Sequence, residues 1–519
     1  MRRIALLATA LVLACNTSQK TISEKAVEQG QIVEPTRYAE TITSEELKEM
    51  LFIYASDEFE GRETGKQGQK KAVEYLKGKY VSLGIPAAKS DGDYFQKVPL
   101  ELSQVPEGDM TINNTTFQLG EEILTFSAAD DSFGEVVYVG YGIEDGDYSD
   151  YNGLDVSEKL VLAKSGEPMR NDGTYIISGS EEKSIWSNMS ESLGKKMEIA
   201  QKKGAKGFLY FDEKNFARYG GYFSFMKTNG SGRMQLKGDN SSFFFLLLNE
   251  TATMALHKNI KTDDKPKVIS AQVGLNIKSA NQQVDSENVV AYIKGSEKPD
   301  EYVVISSHLD HIGVTADGQI NNGADDDGSG TVALLEIAEA FKEAEKNGHT
   351  PKRSIVLLHV TGEEKGLLGS MYYTDYEPIF PLSQTVANLN IDMIGRIDPK
   401  REGNSNYIYL IGSDKLSTEL HELSEAINRK YTNLEFDYTY NDENDPNRFY
   451  YRSDHYNFAK NNIPIIFYFN GTHEDYHRPG DTPDKIEYDL LEKRTRLVFH
   501  TAWEIANRES KIKVDKVAK

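Results

Sequence analysis

From about residue 285 onward, short apolar runs alternate with amphipathic stretches, and this alternation limits the fold of the 519-residue chain more than any other feature. The runs are Val289 to Ile293, Val303 to Ser307, Ile355 to Val360, Val386 to Ile391, Tyr407 to Ile411 and Ile463 to Phe469. They are rich in β-branched and aromatic residues, the pattern of buried strands. Between them, Thr331 to Phe341 and Leu416 to Tyr431 repeat apolar residues at helical spacing. Strand and helix in turn predict an α/β domain with a mainly parallel mixed sheet flanked by helices.

Upstream, Ser44 to Leu83 reads as helical, with Leu47, Met50 and Leu51 on one segment and Ala72, Tyr75 and Leu76 on another. The intervening Gly61-Arg62-Glu63-Thr64-Gly65-Lys66-Gln67 resembles a phosphate-binding loop. It has one residue too few between its glycines, and Gln67 stands where Ser or Thr would hold magnesium, so it is read as a turn before a helix. Residues 130–272 look like a smaller β-rich insertion: Glu135 to Val139, Lys159 to Ala163, Gly207 to Phe211 and Phe243 to Leu248 are strand-like, and Leu193 to Lys203 is helical. The expected division is 43–129 for the first part of the main domain, 130–272 for the insertion and 273–510 for the rest.

At the N-terminus, Arg2 and Arg3 precede an apolar stretch from Ile4 to Ala14, too short to span a bilayer but suited to an export signal. It ends Val12-Leu13-Ala14-Cys15, which resembles the bacterial lipobox. Residues 1–14 are then expected to be removed, Cys15 to receive a lipid, and the polar 15–42 to act as a tether. The implied location is a bacterial cell envelope membrane, on its periplasmic or cell-surface face, with the protein exported and lipid-anchored.

Most of the downstream strands lead into residues that bind metals. Val303 to Ser307 runs into His308-Leu309-Asp310, and a loop then supplies Gly323-Ala324-Asp325-Asp326-Asp327-Gly328 before a helix. Ile355 to Val360 runs into Thr361-Gly362-Glu363-Glu364, Val386 to Ile391 into Asp392-Met393, and the last strand towards Tyr476-His477. Ligands of open α/β sheets bind beyond the carboxyl ends of the strands. Five segments thus deliver His, Asp, Glu, Asp and His to one rim. The single cysteine excludes a thiolate-based site. Two histidines with three carboxylates suit a divalent ion such as zinc, in number enough for two ions sharing one carboxylate. Within Glu363-Glu364, one side chain can bind metal while its neighbour faces the metal-bound water as general base. Asp310, two residues beyond His308, is placed to hold that imidazole in the metal-binding tautomer.

Other classes are disfavoured. With 59 Lys+Arg against 81 Asp+Glu the net charge is −22, which repels phosphate backbones and excludes nucleic acid as a partner. His421-Glu422-Leu423-Ser424-Glu425 lacks the second histidine of the helical zinc-protease motif, and no Gly-x-Ser-x-Gly elbow occurs.

Taken together, His308-x-Asp310, Gly-Ala-Asp-Asp326-Asp-Gly-Ser-Gly, Gly-Glu363-Glu364, Asp392-Met393 and Tyr476-His477-x-Pro-x-Asp481-Thr482 resemble the M28 family of co-catalytic zinc aminopeptidases over about residues 285–505. The resemblance implies a zinc-exopeptidase, phosphorylase/hydrolase-like fold and two Zn2+ ions. Asp326 would bridge them, His308 and Asp392 would complete one site, and Glu364 with His477 the other. Glu363 would be the general base, and Tyr476 would hydrogen-bond the developing oxyanion. In Tyr451-Arg452-Ser453-Asp454-His455-Tyr456, which also looks like the family, Asp454 and His455 are expected behind the ligands, and Arg452 is a candidate to meet a substrate carboxylate. The insertion resembles a protease-associated (PA) domain through Val-Tyr-Val-Gly-Tyr-Gly-Ile and Gly-Ala-Lys-Gly-Phe-Leu-Tyr-Phe. The implied function is a zinc aminopeptidase hydrolysing N-terminal peptide bonds by attack of a metal-bound hydroxide. A carboxypeptidase or glutaminyl cyclase of the same fold, or a non-catalytic surface binding protein, are the alternatives.

Overall fold

Two β-sheets with separate cores organise the chain in a computed structural model that describes residues 34–229, 232–238, 243–401 and 403–517. The export signal expected over 1–14 and the lipidation site Cys15 lie outside the described residues.

The larger sheet has nine strands: β1 (Phe95–Ser103), β2 (Arg233–Leu236), β3 (Gln282–Ile293), β4 (Lys298–His308), β5 (Arg353–Val360), β6 (Thr385–Ile391), β7 (Tyr407–Ile411), β8 (Glu435–Asp437) and β9 (Ile465–Phe469). Their spatial order is β2-β1-β3-β5-β4-β6-β9-β7-β8. The central run β5-β4-β6-β9 is parallel, as is β7 with β8. The pairings of β2 with β1, β1 with β3, β3 with β5 and β9 with β7 are antiparallel. The sheet is therefore mixed, with its parallel part concentrated at the centre, where the sequence pattern suggested a mainly parallel sheet. Connection length explains one flank. A parallel neighbour needs a crossover of about a dozen residues, but only residues 294–297 separate β3 from β4. β3 consequently turns back and pairs antiparallel with β5.

The central strands are buried on both faces, which is why they read as mostly apolar runs; among the buried polar exceptions, Ser306 hydrogen-bonds both Asn388 and Asn390. Val303 and Ile305 of β4 face one core with Ile355 and Leu357 of β5, while Val304, Val356 and Leu358 face the other. The first core lies beneath helices α1 (Ser44–Tyr54), α2 (Gln67–Leu83), α3 (Gly330–Lys346), α4 (Thr418–Tyr431) and α5 (Tyr488–Asn507). α1 is N-capped by Thr43, whose hydroxyl accepts the Glu46 N–H and donates to the Glu46 carboxylate. Between α1 and α2 the predicted turn carries Arg62, which is 1 % exposed and donates to the carbonyls of Tyr54, Asn322 and Gly323. It ties the N-terminal helices to the loop that leads into Asp326.

The second sheet contains eight strands, running from Glu107–Ile112 to Lys267–Lys278 in sequence. It starts earlier and ends later than the 130–272 span expected for the insertion, because Met110, Ile112, Phe117 and Ile123 bury in the same core as Leu160, Phe208 and Leu246. Within that span, β2 departs from the module and joins the larger sheet. No helix among the described residues is long and apolar enough to cross a membrane.

Candidate metal centre and active site

The carboxyl ends of β4, β5 and β6 converge, and the loops that follow bring the predicted ligands together. His308 ends β4, and its Nδ1–H donates to the backbone carbonyl of Asp310 at 3.0 Å, leaving Nε2 to face the carboxylates. The orienting acceptor is thus the Asp310 main chain, whereas its side chain was expected. That carboxylate instead accepts the Thr64 hydroxyl at 2.6 Å and the Glu363 N–H at 3.2 Å, fixing the start of the Glu363-Glu364 turn.

The loop before α3 presents three adjacent aspartates in three directions. Asp327 accepts the N–H groups of His308, Gly330 and Met393, and Asp325 accepts that of Gly395, so both serve the backbone. Asp481 accepts the N–H groups of Asp325 and Asp326 from below. The peptide bond between Asp326 and Asp327 is cis. Asp326 turns its carboxylate between the histidines, while Asp327, engaged by those N–H groups, still places an oxygen within 4.8 Å of donor atoms of His308 and Asp392. Asp326 Oδ1 lies 3.2 Å from His308 Nε2, and its Oδ2 lies 3.1 Å from His477 Nε2. Asp392 Oδ1 is 3.6 Å from His308 Nε2, and Glu364 Oε2 is 3.1 Å from His477 Nε2.

These spacings suit a metal. Donors bound at 2.0–2.1 Å around a tetrahedral ion lie about 3.3 Å apart. His308 Nε2, Asp326 Oδ2 and Glu364 Oε1 are buried yet make no hydrogen bond, although each has potential partners close by. The electrostatics agree. Burial alone would lower the His308 imidazole, but Glu363, Asp392 and Asp326 hold it well above its ordinary value. His477 is likewise brought to about 10 by Asp326 and Glu364 against its burial. Burial pushes the Glu363 carboxyl well up, with Glu364, Asp392 and Asp454 adding to the effect. The cluster is a buried concentration of negative charge that calls for cations.

The remaining predicted residues are also placed. Tyr476 is half-buried, stacks on the His477 ring at 4.0 Å and accepts a 3.4 Å hydrogen bond from Arg452. With Asp326, Glu363, Asp392, Arg452 and His477 it lines a small cleft whose far wall is Met393, Phe449, Phe467 and Phe469. Asp454 is buried beside the centre and accepts from Ser370 at 2.5 Å; burial, with Asp392 and Asp310, raises its carboxyl to about 7. His455 does not reach the ligands: it bonds the Tyr450 carbonyl and stacks on Phe467, holding the cleft wall.

Two residues to which the sequence pattern assigned no role belong here. Ser453 donates to Asp392 Oδ2 at 2.6 Å and accepts from Asn390, which in turn accepts from Ser306; this polar chain runs from the sheet to the ligand. His311 places Nδ1 2.8 Å from Glu364 Oε1 and 3.8 Å from Asp326 Oδ2. The signal for it was available as His308-x-Asp310-His311. Alternation along an extended strand puts residues three apart on opposite faces, and the chain leaves the strand at His308, so that rule fails.

Two carboxylate–imidazole clusters sharing an aspartate at the carboxyl ends of the parallel strands form a candidate metal centre in an α/β protein. Residues 288–502 match the model of Peptidase family M28. Over 106 residues the chain is 38 % identical to the probable glutamate carboxypeptidase LAMP1 of Arabidopsis thaliana, covering 20 % of this chain and 14 % of that one. Over 274 residues it is 26 % identical to aminopeptidase YwaD of Bacillus subtilis (strain 168), covering 49 % of this chain and 52 % of the relative. It thus spans about one seventh of the plant protein and about half of the bacterial one. The aminopeptidase structure from Aneurinibacillus sp. strain AM-1 aligns over 93 % of this chain and 98 % of its own, with a TM-score of 0.46 and 17 % identity.

Proposed function

We propose that the protein is a zinc-dependent aminopeptidase that removes N-terminal residues from peptides, using two Zn2+ ions. The observation that carries this reading is Asp326, whose two oxygens face separate clusters, His308 with Asp392 and His477 with Glu364, beside the buried Glu363. When bound there, divalent ions lower the pKa of a coordinated water towards 7 and polarise a substrate carbonyl. Glu363 takes a proton from the attacking water on a carboxylate oxygen and returns it to the departing amide nitrogen. Tyr476 supplies a hydroxyl donor for the oxyanion. Asp392 and Glu363 provide acceptors for a free α-amine, and the aromatic wall of the cleft receives the first side chain.

One observation favours a second reading, a carboxypeptidase. Arg452 lines the cleft and has no carboxylate partner among the described residues. A panel of one peptide with a free, N-acetylated or C-amidated terminus separates the two. The proposal requires cleavage of the free and C-amidated forms and none of the acetylated form. Cleavage of the acetylated but not the amidated peptide would replace it with the carboxypeptidase.

A further inference from the structure

His311 gives the two halves of the centre different donor sets. It sits on the loop after β4, where its N–H donates to the Arg62 carbonyl and its backbone bridges to Glu63. The ring is fully buried and packs on Gly323; a Cβ at that glycine, whose φ is +57°, would meet the ring at 2.6 Å. It meets the His477 ring edge-on at 5.8 Å. Nδ1 points at Glu364 Oε1 and Asp326 Oδ2, at the 2.8 Å and 3.8 Å given above, and makes no hydrogen bond with either. His311, Asp326 and Glu364 offer donor atoms all within 4.8 Å of one another.

We propose that His311 is a direct ligand, through Nδ1, of the ion held by Asp326, Glu364 and His477, so that this ion has four protein donors. The inference rests on the metal-binding reading above. Its consequence is asymmetry. Two imidazoles and two carboxylates would close a tetrahedral shell, the form of a structural zinc site, whereas His308, Asp326 and Asp392 would supply three donors and leave a position open, the nearby Asp327 carboxylate being engaged by the N–H groups of His308, Gly330 and Met393. The open position, where water and substrate exchange, therefore belongs to the ion beside Asp392 and Ser453. That ion is also the first to leave under chelation.

The alternative is that His311 only donates a hydrogen bond to Glu364. X-ray absorption at the zinc edge of the fully loaded wild-type protein separates the two without any variant, since the proposal requires three imidazole nitrogens for two ions and the alternative two. His311→Gln keeps an N–H donor for Glu364 but is a poor ligand. The expected result is loss of the tightly held ion, with its affinity falling by about 100-fold or more, beyond what orienting partners usually contribute. Two imidazoles per pair of ions, or a Gln variant that binds both ions as wild type does, would overturn the proposal while leaving the peptidase reading intact. A wild-type protein that binds no zinc would overturn both.

Discussion

Ser453→Ala isolates one ligand's support. The Ser453 hydroxyl donates to Asp392 Oδ2 at 2.6 Å in a site shielded from water, and it is buried itself at 1 % exposure. Hydrogen bonds to charged groups contribute about 1.5–3 kcal/mol. At about 1.4 kcal/mol per tenfold this corresponds to roughly 10–150-fold in zinc affinity. The independent expectation for removing an orienting partner, about 10–100-fold, falls in the same range. On the proposed two-ion centre the effect is confined to the ion at His308 and Asp392, because no hydrogen bond links Ser453 to Glu364, His477 or His311 among the described residues. Competition with a chromophoric chelator, followed by metal analysis, resolves the two ions as separate phases. The weaker phase is predicted to move by that factor and the tighter one to stay. Unchanged affinity in both phases, in a variant with wild-type circular dichroism, would refute the argument that this hydrogen bond shapes the ligand.

Other outcomes follow from other parts of the structure. Tyr476→Phe removes the proposed oxyanion donor and is expected to lower kcat by about 100–1,000-fold with little change in KM; equal loss in both would place the tyrosine in binding alone. Glu336 is 2 % exposed on α3, and burial, then Glu46, raises its carboxyl from 4.5 to about 8. The native state holds this proton where the unfolded chain releases it, so stability is fullest below about pH 4.5 and declines as pH rises through 8, by up to about 5 kcal/mol. Glu336→Gln should abolish that slope, and parallel melting curves of variant and wild type between pH 5 and 8 would contradict it. Cys15→Ser is expected to release an exported protein from the membrane fraction; if the variant stays there, the lipid-anchor reading fails.

Much of the main sheet could be read from patterning because its central strands are short, mostly apolar runs buried on both faces. Tyr407–Ile411 ends where the run does, and β4 and β5 extend the predicted runs by a few residues. The antiparallel flanks were not legible, since direction depends on connection length and neighbour choice rather than on apolar content. The segments that carry Asp326, Glu363-Glu364, Asp392 and His477 were legible because each lies between a strand and the same rim, while the resemblance chose Glu364 over Glu363. The resemblance settled which of the three aspartates faces inward; composition alone treats Asp325, Asp326 and Asp327 alike, and what separates them is the set of N–H groups each meets. Asp310 illustrates a subtler loss: its proximity to His308 was correct, but whether main chain or side chain accepts the proton depends on a turn geometry that spacing does not encode. His311 was missed for the reason that local rules fail where a strand stops.

The most direct measurement is turnover and zinc content of Glu363→Gln, taken together on one preparation against a free-amine peptide. The account predicts that the variant carries as much zinc as wild type and hydrolyses the peptide at least 100-fold more slowly, the scale of a lost general base. Near-normal hydrolysis with normal zinc content would contradict it.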